Sequence, residues 1–139
     1  MVPAAPADTQ DKPKTQRQPL RSLLVPQKIF FVTGLGVHKE KLAAFETALR
    51  DAGIARYNLV HVSSIFPPEC EIIGRHEGES LLTPGQIVHC VMARSETNEP
   101  SRRITSALGL ARPQEADQYG YISEHHGFGD SQEVAEEYA

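Results

Sequence analysis

Pro67 and Pro68 stand side by side in the middle of a largely apolar segment. Neither has an N–H to donate to a ladder, and each fixes φ near −65°. Neither a helix interior nor a central strand can run through them. Any strand that approaches from Asn58 must therefore end before Pro67, and the chain must restart its pairing afterwards. A fold of several short strands around that stop is the outcome this sequence allows. The 139 residues suffice for one domain. With 40% hydrophobic and 23% charged residues, collagen-like, coiled-coil and fully disordered classes are excluded. No apolar run approaches the roughly 20 residues of a membrane helix, so a soluble protein with no membrane partner is expected.

Residues 1–27 read differently from the rest. They hold five of the ten prolines and no aromatic residue. Four basic and two acidic side chains give them +2, so the net −4 of the chain leaves −6 for residues 28–139. This composition predicts a disordered arm over 1–27 and a folded domain over 28–139. The arm lacks the apolar h-region of a secretion signal, and Asp8 and Asp11 break the acidic-poor pattern of a transit peptide. A cytoplasmic protein is expected, with Cys70 and Cys90 as reduced, partly buried thiols. An acidic domain is a poor binder of nucleic acid.

Within 28–139, Lys28–Thr33 predicts a buried strand that ends at Gly34 and Gly36. Lys39–Ala52 predicts a helix with a stripe of Leu42, Phe45, Leu49 and Ala52, closed by Gly53. Asn58–Ser64 alternates as a strand, and Glu71–Gly74 reads as a short one. Gln86–Arg94 is apolar on both faces, which predicts a central strand. Arg103–Ala111 presents a small face of Thr105, Ala107, Gly109 and Ala111, suited to a close-packed helix or sheet. Tyr119–His126 is a further strand, and Ser131 caps a helix that runs to Ala139. The expected class is α+β with mixed or antiparallel sheets.

Several chemistries fail on spacing. Gly34 and Gly36 follow a strand, but Lys39 takes the third glycine position of a dinucleotide fingerprint, so a turn is the better reading. His125 and His126 are adjacent on a strand and point to opposite faces, and no paired ligand spacing is present, so no metal is expected. No serine lies in a GxSxG elbow. The pair Ser63–Ser64, placed just before Ile-Phe-Pro-Pro, is different. Two readings stand. The hydroxyls bond the adjacent turn, or the two fixed prolines strain the junction and present the Ser63 carbonyl to the Ser64 hydroxyl.

The segment NLVHVSSIFPPECEII, with AAFETALRDAGI upstream and GYISEHHG downstream, resembles the pyruvoyl-dependent arginine decarboxylases over residues 28–139. The resemblance implies an α/β sandwich and a proenzyme that cuts itself between Ser63 and Ser64. The Ser64 hydroxyl attacks the Ser63 carbonyl to give an ester. Elimination then releases Ser63 as a C-terminus, and the dehydroalanine left behind hydrolyses to a pyruvoyl group and ammonia. The pyruvoyl ketone forms a Schiff base with the substrate amine and accepts electrons as carbon dioxide leaves. L-arginine would become agmatine, in polyamine synthesis or acid resistance.

The same resemblance assigns residues. Glu124 matches the family's catalytic glutamate and would return the proton; it shares a face with Ile122, where desolvation favours a general acid. Otherwise it is an edge-strand glutamate in water. Asn58 lies six residues before Ser64, on the same face of one strand, and would stabilise the oxyanion or else bond the turn. Glu46 falls about 40° from Leu42 on the helix and would bind the substrate guanidinium, or else pair with Arg50 on the surface. The family places an acidic residue there, usually aspartate. Members form trimers with sites between neighbours and continue beyond the point matching Ala139, so the chain is expected to be C-terminally truncated. A non-catalytic regulatory or assembly paralogue of the same fold, and a pyruvoyl decarboxylase of another amino acid, are the competing functions.

Overall fold

The computed structural model describes residues 24–138. The expected arm over 1–27 lies outside the described residues, apart from residues 24–27. Strand β1 is only Lys28–Ile29 and pairs in parallel with β4, Glu71–Ile72. The longer strand expected through Thr33 is not formed. The Phe30 ring instead lies over Gly78, where an added Cβ would meet it at 2.2 Å. The chain then runs along helix α1, Lys41–Asp51. A Cβ on Gly34 would lie 2.1 Å from the Ala48 carbonyl oxygen, and one on Gly36 1.9 Å from that of Ala44. These glycines therefore permit close approach to a helix, where the sequence suggested a turn.

That contact also resets the helix face. Ala44, Ala48 and Ala52 meet the glycine segment, while Leu42 of the expected stripe is 78% exposed. Gly53, at φ +78°, closes the helix as expected, and its N–H donates to the Arg50 carbonyl at 3.0 Å. Helix α2, Arg75–Ser80, was not foreseen, because RHEGES has no apolar periodicity. It is held by Phe30 on Gly78 and by the Arg75–Glu79 ion pair at 2.6 Å.

Strand β2, Asn58–His61, pairs in parallel with β5, Ile87–Cys90, to make a two-stranded sheet. The central position expected for the second of these is not realised. Among the described residues β2 is its one sheet neighbour, and Ile87 is 64% exposed. β3, Ile65–Phe66, stops at Pro67 as the missing N–H requires. It joins β7, Gly120–Phe128, and β6, Ile104–Ala111, in an antiparallel sheet of order β3-β7-β6. Helix α3, Gln132–Tyr138, packs on β6 and β7. Ser131 caps it, its hydroxyl accepting from the Val134 N–H at 3.3 Å.

The fold is thus α+β, with parallel and antiparallel pairing. Its core is Phe66, Cys70 and Ile122, with Ile29, Val91, Leu108 and Leu110 against them. Ile122 of this cluster donates its N–H to the Ser64 carbonyl, and Phe66 lies two residues past Ser64.

Candidate active site

β2 ends at His61, and the Val62 N–H still donates to the Cys90 carbonyl at 2.9 Å. Three residues on, the Ser64 carbonyl accepts from the Ile122 N–H at 2.7 Å, which extends the β3–β7 register by one residue. The Ser63–Ser64 bond is therefore the junction between the two-stranded and three-stranded sheets. It is anchored on both sides by ladder bonds, and both serines are exposed. The left-handed non-glycine φ angles fall at Glu69 (57°) and Ser101 (61°), so φ strain follows the prolines instead of loading the serine junction as expected.

Glu124 stands two residues along β7 from Ile122, on the same face. Ile122 is 3% exposed and the Glu124 side chain 24%, so the carboxyl borders the core. One oxygen, Oε1, is 3.7 Å from His61 Nε2 of β2, and the other, Oε2, is 3.6 Å from His126 Nε2 of β7. The Met92 N–H donates to the same His61 Nε2 at 3.3 Å. Cys90, paired with His61 across β2–β5, completes the group. Burial pushes the Cys90 thiol above its ordinary pKa, and the Glu124 charge adds to the rise.

The structure thus pairs Ser64 with the strand that carries Glu124 and brings His61, Cys90 and His126 around the carboxyl. Sequence reasoning gave no role to His61 or Cys90. Their approach to Glu124 comes from three strands far apart in the chain, which no local spacing records. His125 points the other way, as strand alternation requires. Its ring stacks on Tyr138 of α3 at 5.6 Å. Among the described residues no three His, Cys, Asp or Glu side chains are placed to hold a metal ion.

Asn58 and Glu46 stand apart from this group. The expected single strand face from Asn58 to Ser64 does not exist, because β2 stops at His61. The Asn58 Nδ2 donates to the Gly85 carbonyl at 2.6 Å, tying the start of β2 to the turn before β5. Glu46 pairs with Arg50 at 2.5 Å, one helical turn on, and its side chain is 58% exposed. Two concavities among the described residues, one lined by Arg50, Gly53, Arg56, Arg75 and Glu79 and one by Phe66, Cys70, Arg112 and Gln118, include neither Ser64 nor Glu124. The serine junction is an open surface in the single chain.

Two comparisons bear on this arrangement. The family described as Pyruvoyl-dependent arginine decarboxylase matches residues 28–139. The chain is 59% identical over 116 residues to Pyruvoyl-dependent arginine decarboxylase 2 of Methanosarcina acetivorans, covering 84% of this chain and 63% of that protein. It is equally identical to the Pyruvoyl-dependent arginine decarboxylase of Methanococcoides burtonii, covering 64% of it, and 52% identical over 121 residues to that of Methanocella arvoryzae, covering 73%. The chain therefore spans a little under two thirds of the length of the first two relatives.

Proposed function

The chain belongs to the pyruvoyl-dependent arginine decarboxylase family, and from that premise we propose that it cuts itself between Ser63 and Ser64 and converts L-arginine to agmatine and carbon dioxide. One observation carries the reading. The Ser64 carbonyl is bonded to Ile122 N–H at 2.7 Å, and Glu124 follows two residues later on the same strand. This pairing supports a group formed from Ser64 working beside a carboxyl that borders the core.

The residues present fit such a group. Position 64 carries the hydroxyl that an N-to-O acyl shift needs, and its own carbonyl is held by the sheet. The junction is exposed, so the Ser63 end has room to leave once the bond is cut. A ketone at position 64 supplies the electron sink for loss of carbon dioxide. The other parts belong to side chains. Glu124 holds a proton at a carboxyl oxygen and delivers it to the carbon that carbon dioxide has left. Asn58 orients the turn before β5, and with it the strand that carries Cys90; an oxyanion role at a serine junction requires the amide to leave Gly85. Glu46, exposed on α1, offers its carboxylate to a guanidinium once Arg50 is displaced.

An open junction needs a cover. Leu35, Val37 and Leu42 are 71%, 84% and 78% exposed around the start of α1, more apolar surface than a lone small domain carries comfortably. We read residues 28–139 as one decarboxylase domain of the α/β sandwich type. It acts as a cytoplasmic homotrimer, with each serine junction closed by a neighbour. Intact mass tests the cut, and release of labelled carbon dioxide from arginine, set against ornithine, lysine and histidine, tests the substrate. Release from another amino acid but not from arginine would contradict the substrate; an uncut chain would contradict the reaction.

A further inference from the structure

The two imidazoles that bracket Glu124 have no part in the reading above, which they deepen and on which this inference rests. Each carboxyl oxygen faces a different ring: His61 Nε2 at 3.7 Å from Oε1, and His126 Nε2 at 3.6 Å from Oε2. The rings differ in what else they do. His61 Nε2 accepts the Met92 N–H at 3.3 Å, so it presents a lone pair and its proton resides on Nδ1. That lone pair is taken by Met92, so the ring is fixed beside Oε1 without accepting a proton from it. Both rings reach solvent, with 61% of the His61 side chain and 46% of the His126 side chain exposed, but among the described residues only His126 has its Nε2 free of a backbone bond. Among the described residues the Cys90 thiol from β5, whose pKa burial raises, Leu108 opposite Glu124 and Ser106 opposite His126 on strand β6 also flank the group, and none of the three provides a competing charge.

We propose that His126 is the relay that returns protons from solvent to Glu124, and that His61, its Nε2 fixed by the Met92 N–H, is a positioning residue beside the carboxyl. The balance is simple. Loss of carbon dioxide leaves an electron pair on the substrate carbon, and the Glu124 proton takes up that pair. The carboxylate then takes a proton at Oε2 from the His126 imidazolium, which refills from water. Nothing is oxidised or reduced. Distances slightly beyond hydrogen-bond length are usual before a site closes on its substrate.

The first arm of the test uses the uncut Ser64→Ala chain, so it stands whether or not the parent cleaves. Ring-nitrogen NMR of histidines is expected to show neutral His61 as the Nδ1–H form. Adding Glu124→Gln is expected to move the His126 ring-nitrogen signals, since the ring faces the carboxyl oxygen at 3.6 Å. His126 signals unmoved by Glu124→Gln, or His61 as the Nε2–H form, would overturn the proposal. The second arm uses cut protein, verified by mass. His126→Gln is expected to lower kcat about tenfold with KM unchanged, to shift the pH profile of kcat, and to recover with added imidazole. A cut His126→Gln protein with the parent's kcat and pH profile would overturn the relay while leaving the decarboxylase reading intact.

Discussion

A methyl group on Gly36 would land 1.9 Å from the Ala44 carbonyl oxygen, backbone against backbone, with no flexible side chain to yield. Gly36→Ala is therefore expected to lower stability by about 2–3 kcal/mol, the range of overpacking in a tight contact. Denaturant unfolding of the two chains measures it, and equal midpoints would show that the contact is not made. Cys90 gives a pH prediction with a definite sign. Its folded thiol titrates above the ordinary 9.0, through burial first and the Glu124 charge second. The stability it contributes is full below the unfolded value and is lost as pH rises through the folded one. Alkylation of Cys90 at pH 8 is expected to be slower in the folded chain than in the unfolded one, and faster in Glu124→Gln than in the parent. At this scale a motif singled out Ser63, Ser64 and Glu124 as candidates, and the structure pairs Ser64 with the strand that carries Glu124. His61 was quoted within that motif, yet its proximity to Glu124 depends on how two sheets meet.

Helix α1 was legible as an element, but its packing was not. Periodicity placed it within two residues at its start and one at its end, and Gly53 closes it. The packed side is set by glycines ten residues upstream, which select small Ala44 and Ala48 over large Leu42. Its other tether is ionic. Lys41 and Arg94 both bond Glu96, at 3.0 and 2.5 Å, and the Arg94 guanidinium lies 3.8 Å above the Phe45 ring. Hydrogen bonds from these two cations hold the Glu96 carboxyl below its usual 4.5. This contribution is present above the unfolded value and lost as pH falls through the folded one. The group is exposed, so the effect is small and screened by salt. Hydrogen exchange of α1 amides is expected to quicken slightly in Glu96→Gln at neutral pH, and the difference from the parent should vanish in strong acid. α2 eluded the sequence because an ion pair and one ring over a glycine, not an apolar face, hold it. Pro67 shows the opposite case: one missing N–H ended β3 where the chain chemistry said it must.

The whole chain buries little. Among the described residues no side chain is completely buried, and large apolar groups from Leu35 to Tyr138 face outward. The α+β class was legible from strand and helix patterns. The split of strands into three small sheets was not, because pairing is set by long-range register and not by composition. An assembled protein accounts for both the exposed apolar groups and the open serine junction. Sedimentation of the Ser64→Ala chain at micromolar concentration is expected to give three times the chain mass; a monomer would leave the junction without its cover. The central claim is that one peptide bond of this chain is made to be broken. Intact mass spectrometry of the purified chain tests it most directly. The account predicts two species, residues 1–63 with a free C-terminus and residues 64–139 beginning with a pyruvoyl group in place of Ser64. A single uncut species after prolonged incubation would contradict it.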